Sequence, residues 1–135
     1  MPLHYRTAKE WAQGGREHWD KMGVCTTLIF ATTRMMELLP GSDNLSDSDM
    51  MVIRFMARKL ESLESIKVDM KADYHNEKHV INLYTVALEI SIKLNDVYAT
   101  CIGQYGRRSM DDWKTSFLEL QGTIDTAVRY LGGVL

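Results

Sequence analysis

His79–Ile102, HVINLYTVALEISIKLNDVYATCI, is the most apolar stretch of the chain, and its reading settles the fold class. It closes a run of 61 residues, Ser42–Ile102, that holds neither Gly nor Pro, the residues that most readily interrupt a helix. Wound at about 100° per residue, Asn82, Thr85, Glu89, Lys93, Asp96 and Thr100 gather on one arc of roughly 80°, and most of the remaining circumference is apolar. A helix with so narrow a wet stripe needs neighbours on several sides.

Continued back to Ser42, this helix would be about 90 Å long at 1.5 Å per residue, too long for one domain of 135 residues. We therefore place a break at Ala72–Asn76, where Asp73, His75 and Asn76 are poor helix formers. Ahead of the break, Ser46-Asp47-Ser48-Asp49 offers N-cap oxygens and first-turn carboxylates to a helix whose core stripe reads Ile53, Met56, Leu60, Leu63, Met70 and Tyr74. Its opposite arc, Arg54, Arg58, Glu61, Ser62, Ser65 and Asp69, is a mixed-sign solvated face.

Further out, Arg16–Leu39 predicts a helix that stops at Pro40-Gly41, with Met22, Cys25, Leu28, Ile29, Thr32, Met35, Met36 and Leu39 turned inward. Thr7-Ala-Lys-Glu10 has the capping-box spacing and predicts a short helix ending at Gly14-Gly15. On the C-terminal side, Gly103 and Gly106 stop the central helix. Ser109 caps a last one lined by Met110, Trp113, Phe117, Leu120, Ile124, Ala127, Val128 and Leu131, which Gly132-Gly133 should end. No strand-like alternation or internal repeat occurs.

These elements predict one all-α domain over residues 1–135, an antiparallel up-down four-helix bundle with a short extra N-terminal helix. A bundle member normally buries about half of its surface, so the central helix calls for a further neighbour, the N-terminal segment or a second subunit, and we expect a homodimer.

Composition narrows the function without naming it. A net charge of −2 gives no field to gather nucleic acid or an acidic membrane, and no apolar run approaches the ~20 residues of a membrane span. Cys25 and Cys101, both within apolar pattern, read as thiols of a reducing compartment, and no apolar leader precedes them, which points to the cytoplasm.

Few residues suggest chemistry. His75 and His79 have a spacing that can chelate a metal from one helix face, but without an HExxH order or a Glu-x-x-His pair a solvated helix start is the simpler account. Glu61 with Glu64, and Asp111 with Asp112, fit a charged face and a helix N-terminus better than catalysis. Ser91 and Asn95, one turn apart on the apolar side of the central helix, read as a mutually bonded core pair or as the polar end of a ligand pocket. Arg54, Arg58, Lys59, Arg107 and Arg108 could form a basic patch, yet acidic neighbours dilute it.

The strongest surface signal is a row opposite the core stripe of Arg16–Leu39: Trp19, Gly23, Thr26, Phe30 and Thr33, extended by Trp11 and Tyr5. Large aromatics beside small residues make a groove that another helix can fill, unless the N-terminal segment folds back and makes the row core. Nine methionines add adaptable contact surface. The expectation is a non-enzymatic protein, without cofactor, that binds another protein as adaptor, inhibitor, chaperone or assembly subunit. A small-ligand- or metal-binding bundle, with an enzyme among its forms, stands second and nucleic-acid association third.

Overall fold

Four helices, α1 (Lys21–Leu38), α2 (Asp47–Ala72), α3 (Glu77–Gln104) and α4 (Met110–Val134), form a bundle in the computed structural model. It describes residues 20–38, 47–104 and 110–135, without the side chains of 48, 49, 97, 99–104 and 110–113. The expected short N-terminal helix over Thr7–Gly14 lies outside the described residues, as do Gly106 and the Ser109 cap; Gly103, expected to stop the central helix, lies within α3, which runs on to Gln104.

Local chemistry sets the ends that are described. Asp20 is the N-cap of α1: the amide of Gly23 donates to Asp20 Oδ1 at 2.6 Å, satisfying one of the free donors of the first turn. The helix therefore starts at Lys21 rather than Arg16. Between α2 and α3 the chain breaks at residues 73–76, inside the segment expected from its poor helix formers. Asn76 closes that turn twice, accepting from the Lys78 amide at 3.0 Å as N-cap of α3 and donating through Nδ2 to Asp73 at 3.2 Å.

The helices stand in a ring, α1 against α2, α2 against α3, α3 against α4 and α4 back against α1; α1 and α3 touch little across the diagonal. Contacts across the α2–α3 and α3–α4 seams run in opposite senses. Lys59 of α2 pairs with Glu89 of α3, while Lys93, further along α3, lies 5.9 Å from the ring of Phe55, earlier in α2. Along the next seam, Ser91 meets Asp125, Asn95 meets Gln121 and the Tyr84 ring rests on Gly132.

One apolar core runs down the middle. Leu28, Met35, Met56, Leu63, Met70, Leu83, Ile90, Leu94, Phe117, Ile124 and Leu131 are wholly buried in it, drawn from all four helices. Four expectations change here. On α1 the buried side is turned toward Val24, Thr27 and Ala31, leaving Met22, Ile29 and Met36 half-buried, because α1 is flanked by α2 on one side and α4 on the other. Tyr74, expected in the α2 stripe, is 38% exposed: the helix ends at Ala72, so the turn that would have carried Tyr74 inward does not form. α4 runs through Gly132-Gly133 to Val134, and the Tyr84 ring packs on the former. Finally, α3 is not surrounded among the described residues, since a ring of four gives it only two neighbours and leaves Ile81 49% and Ile92 64% exposed.

Candidate functional site

The outward side of α1 carries the row read from the sequence. Thr26 and Phe30 are exposed, Phe30 by 37%, and Gly23 and Thr33 flank them half-buried. The Thr33 hydroxyl donates to the Ile29 carbonyl at 2.8 Å, so it is spent within its own helix rather than offered outward. One ion pair, Arg34 with Glu37, stands at the C-terminal end of the row. Trp19, Trp11 and Tyr5 lie outside the described residues.

Ser91 and Asn95 do not bond to each other as the one-turn spacing suggested. Each reaches across to α4: the Ser91 hydroxyl donates to Asp125 Oδ1 at 2.5 Å, and Gln121 donates its amide to Asn95 Oδ1 at 3.3 Å. The four residues form a polar ladder on the α3–α4 seam, with Ser91 half-buried and Asn95 exposed. Its signal was present in the chain, because Gln121 and Asp125 repeat the one-turn spacing of Asn95 and Ser91 on the facing helix. The ladder fixes how α3 slides against α4.

His75 and His79 are not on one helix face. His75 sits exposed in the turn, with its ring edge-on to Tyr74 at 5.3 Å, whereas His79 lies in the first turn of α3. Chelation from one face needs both on a continuous helix, and α3 begins only at Glu77. Among the described residues no group of three or more His, Cys, Asp or Glu side chains is placed to hold a metal ion.

No match answers the chain. Comparison with protein-family models, with curated proteins and with solved structures finds nothing similar to it.

At one end of the bundle a cleft of about 290 Å³ is lined by Lys21, Glu77, Val80, Ile81, Val134 and Leu135. Near it, burial and the Asp20 carboxylate hold the Tyr130 hydroxyl above its ordinary pKa, and the same causes act on Tyr74, over whose ring the Lys21 ammonium lies at 5.6 Å. On the outer face of α2 an open groove of about 550 Å³ passes Arg58, Glu61, Ser62, Ser65, Ile66, Asp69 and Asn82. Neither cleft has a histidine or cysteine in its lining, and the groove carries both signs of charge. Glu61 and Glu64 are exposed on it or beside it, as are Arg54 and Arg58, while Lys59 is committed to Glu89. Arg107 and Arg108 and the side chains of Asp111 and Asp112 are outside the described residues.

Cys25 is a buried free thiol. Its Sγ donates to the Leu63 carbonyl at 3.5 Å, and burial pushes its pKa from 9.0 up to about 12, against a smaller opposing effect of the Lys67 charge. Such a thiol packs as a small hydrophobe and is a poor nucleophile at neutral pH. No described helix is long and apolar enough to cross a membrane.

Proposed function

We propose that this chain is a non-enzymatic helical-bundle protein that works by binding another protein, with the outward row of α1 as the contact. The observation that carries the reading is Phe30, a large aromatic 37% exposed amid small neighbours Gly23, Thr26 and Thr33. Exposed aromatics in shallow, weakly charged surroundings are the side chains that anchor protein interfaces. Trp19 continues the row by sequence spacing, four residues before Gly23, and Trp11 lies eight residues further back. The buried, protonated thiol of Cys25 is consistent with a reducing compartment, and we place the protein in the cytoplasm. The reading includes a homodimer as the resting form.

Capture from the source cells with wild type and Phe30→Lys tests it. A stoichiometric protein should be retained by the former and lost by the latter, and Phe30→Ala should weaken its binding by about 30-fold. Both variants should unfold within about 0.5 kcal/mol of wild type, since the position is a surface one. Equal retention by all three proteins, or no stoichiometric partner, overturns the assignment.

A further inference from the structure

Helix α3 carries two heptad rows. Val80, Leu83, Ala87, Ile90 and Leu94, spaced 3-4-3-4, are buried in the bundle. Lys78, Ile81, Thr85, Leu88, Ile92 and Asn95, spaced 3-4-3-4-3, lie on the outward side, and none of them is buried. Among the described side chains of the helix Ile81 and Ile92 are the most exposed apolar ones, at 49% and 64%, and Leu88 stands half-exposed between them. The Thr85 hydroxyl is spent on the Ile81 carbonyl at 2.9 Å. With Ile81, Leu88 and Ile92 at this spacing the row has the pattern of a coiled-coil seam, and no described helix closes against it.

We infer that a second copy of this chain closes it, two α3 helices packing antiparallel about a two-fold axis between Thr85 and Leu88. The inference rests on the homodimer in the reading above and adds its interface. In that register Ile81 meets Ile92 of the partner subunit, twice by symmetry, and Thr85 meets the partner's Leu88. At each end Lys78 meets the partner's Asn95, with the partner's Asp96 carboxylate next to it. Charge selects this arrangement. Lys78 and Asp96 are 18 residues apart, five helical turns, so they stand on the same side of α3 at opposite ends with opposite signs, Asp96 also lying 3.7 Å from Lys93 of its own helix. Antiparallel pairing brings unlike charges together at both ends, whereas parallel pairing would set lysine on lysine and aspartate on aspartate. Self-complementarity of this kind is a property of a surface that meets its own copy; a foreign partner would not require it.

A standard interface takes about 800 Å² from each partner, a tenth of the 8013 Å² that this chain exposes. The strip that two α3 helices share in this register, residues 77–96, is about 30 Å by about 10 Å and supplies roughly a third. The rest would fall to the flanks of α2 and α4, where Leu118 is 46% exposed three residues before Gln121 on the α4 row that touches α3.

The test is the mass of the full chain in solution, by light scattering and sedimentation equilibrium, with Ile92→Lys, Ile81→Lys and, as control on another face, Val68→Lys. Wild type and Val68→Lys should sediment at about twice 15.5 kDa, and each α3 variant should raise the dimer dissociation constant at least tenfold without loss of helical circular dichroism. Register is read by oxidation of Ile81→Cys/Ile92→Cys in a Cys101→Ala background: the double variant should form a disulfide-linked dimer and neither single variant should. A monomer mass at every concentration overturns the dimer and the interface together. A dimer whose mass ignores Ile92→Lys, or cross-links formed by a single variant, overturns the interface and leaves the dimer standing.

Discussion

Thr32 shows what a single buried atom costs. Its side chain is fully buried, and its Oγ1 has no hydrogen-bond partner among the described residues, so folding strips the hydroxyl of water and returns nothing. Thr32→Val keeps the shape and removes the orphaned oxygen, and should stabilise the fold by about 1 kcal/mol. Urea unfolding checks it: a higher midpoint at an unchanged slope is the expected result, and a lower one would reveal a bond to the hydroxyl. Cys25 makes the protein sensitive to alkali instead. The folded thiol holds its proton to about 12 and the unfolded one only to 9.0. Its contribution to stability is therefore complete below 9.0 and is lost as pH rises toward 12. Tyr74 and Tyr130, both raised, act in the same direction. Between about pH 8 and about pH 10.5 the urea midpoint of wild type should fall further than that of Cys25→Ala, which retains the tyrosines and lacks the thiol.

Helices are held by their seams more than by their ends. In α4, Gly122 sits in mid-helix with nothing within 4 Å of where a Cβ would stand, and Gly132 would place a Cβ 3.5 Å from the Tyr84 ring, an ordinary contact. Gly122→Ala should stabilise by about 0.5–1 kcal/mol through the unfolded chain's lost freedom, measurable as a rise in thermal midpoint. A loss there would mean that something covers the position. Gly132-Gly133 also marks the limit of local signals: a glycine pair ends a helix only if the chain turns away, and here the chain continues helical to Val134. The break between α2 and α3 was legible for the opposite reason. Asp73 and Asn76 bond within the turn itself, so the side chains that favour the break are also the ones that build it. The Ser91–Asp125 and Asn95–Gln121 rungs were half-legible, since spacing showed polar pairs on each helix but not that the two helices face each other.

Across the whole molecule one core joins all four helices, and Phe117 lies wholly buried in it, 5.2 Å from Tyr98 between ring centres. Phe117→Ala should cost about 3–5 kcal/mol, and the bundle should still unfold as one unit. Far-ultraviolet dichroism and tryptophan fluorescence should trace coincident transitions at a lower denaturant midpoint; two separate transitions would show that the helix pairs are independent. The four described helices and most of their boundaries follow from the sequence, because period, caps and breakers act within a few residues of where they stand. The inward side of a helix was legible on α2, where Met56, Leu63 and Met70 are apolar against a charged arc, and mis-set on α1, where apolar residues surround most of the axis and only the neighbours decide. The outward row of α1 could be named from the sequence as the side opposite the core stripe. Its exposure at Phe30 depends on where α2 and α4 stand.

The opening stretch shows the same division most sharply. Its sequence determines that Glu77–Gln104 is helical and that apolar residues occupy more of its surface than one seam can use. Only the tertiary arrangement decides which apolar row is the core. Periodicity gives every row on a helix equal standing, and burial goes to the row that a ring of four helices turns inward, here Val80 to Leu94, while Ile81, Leu88 and Ile92 are left facing out.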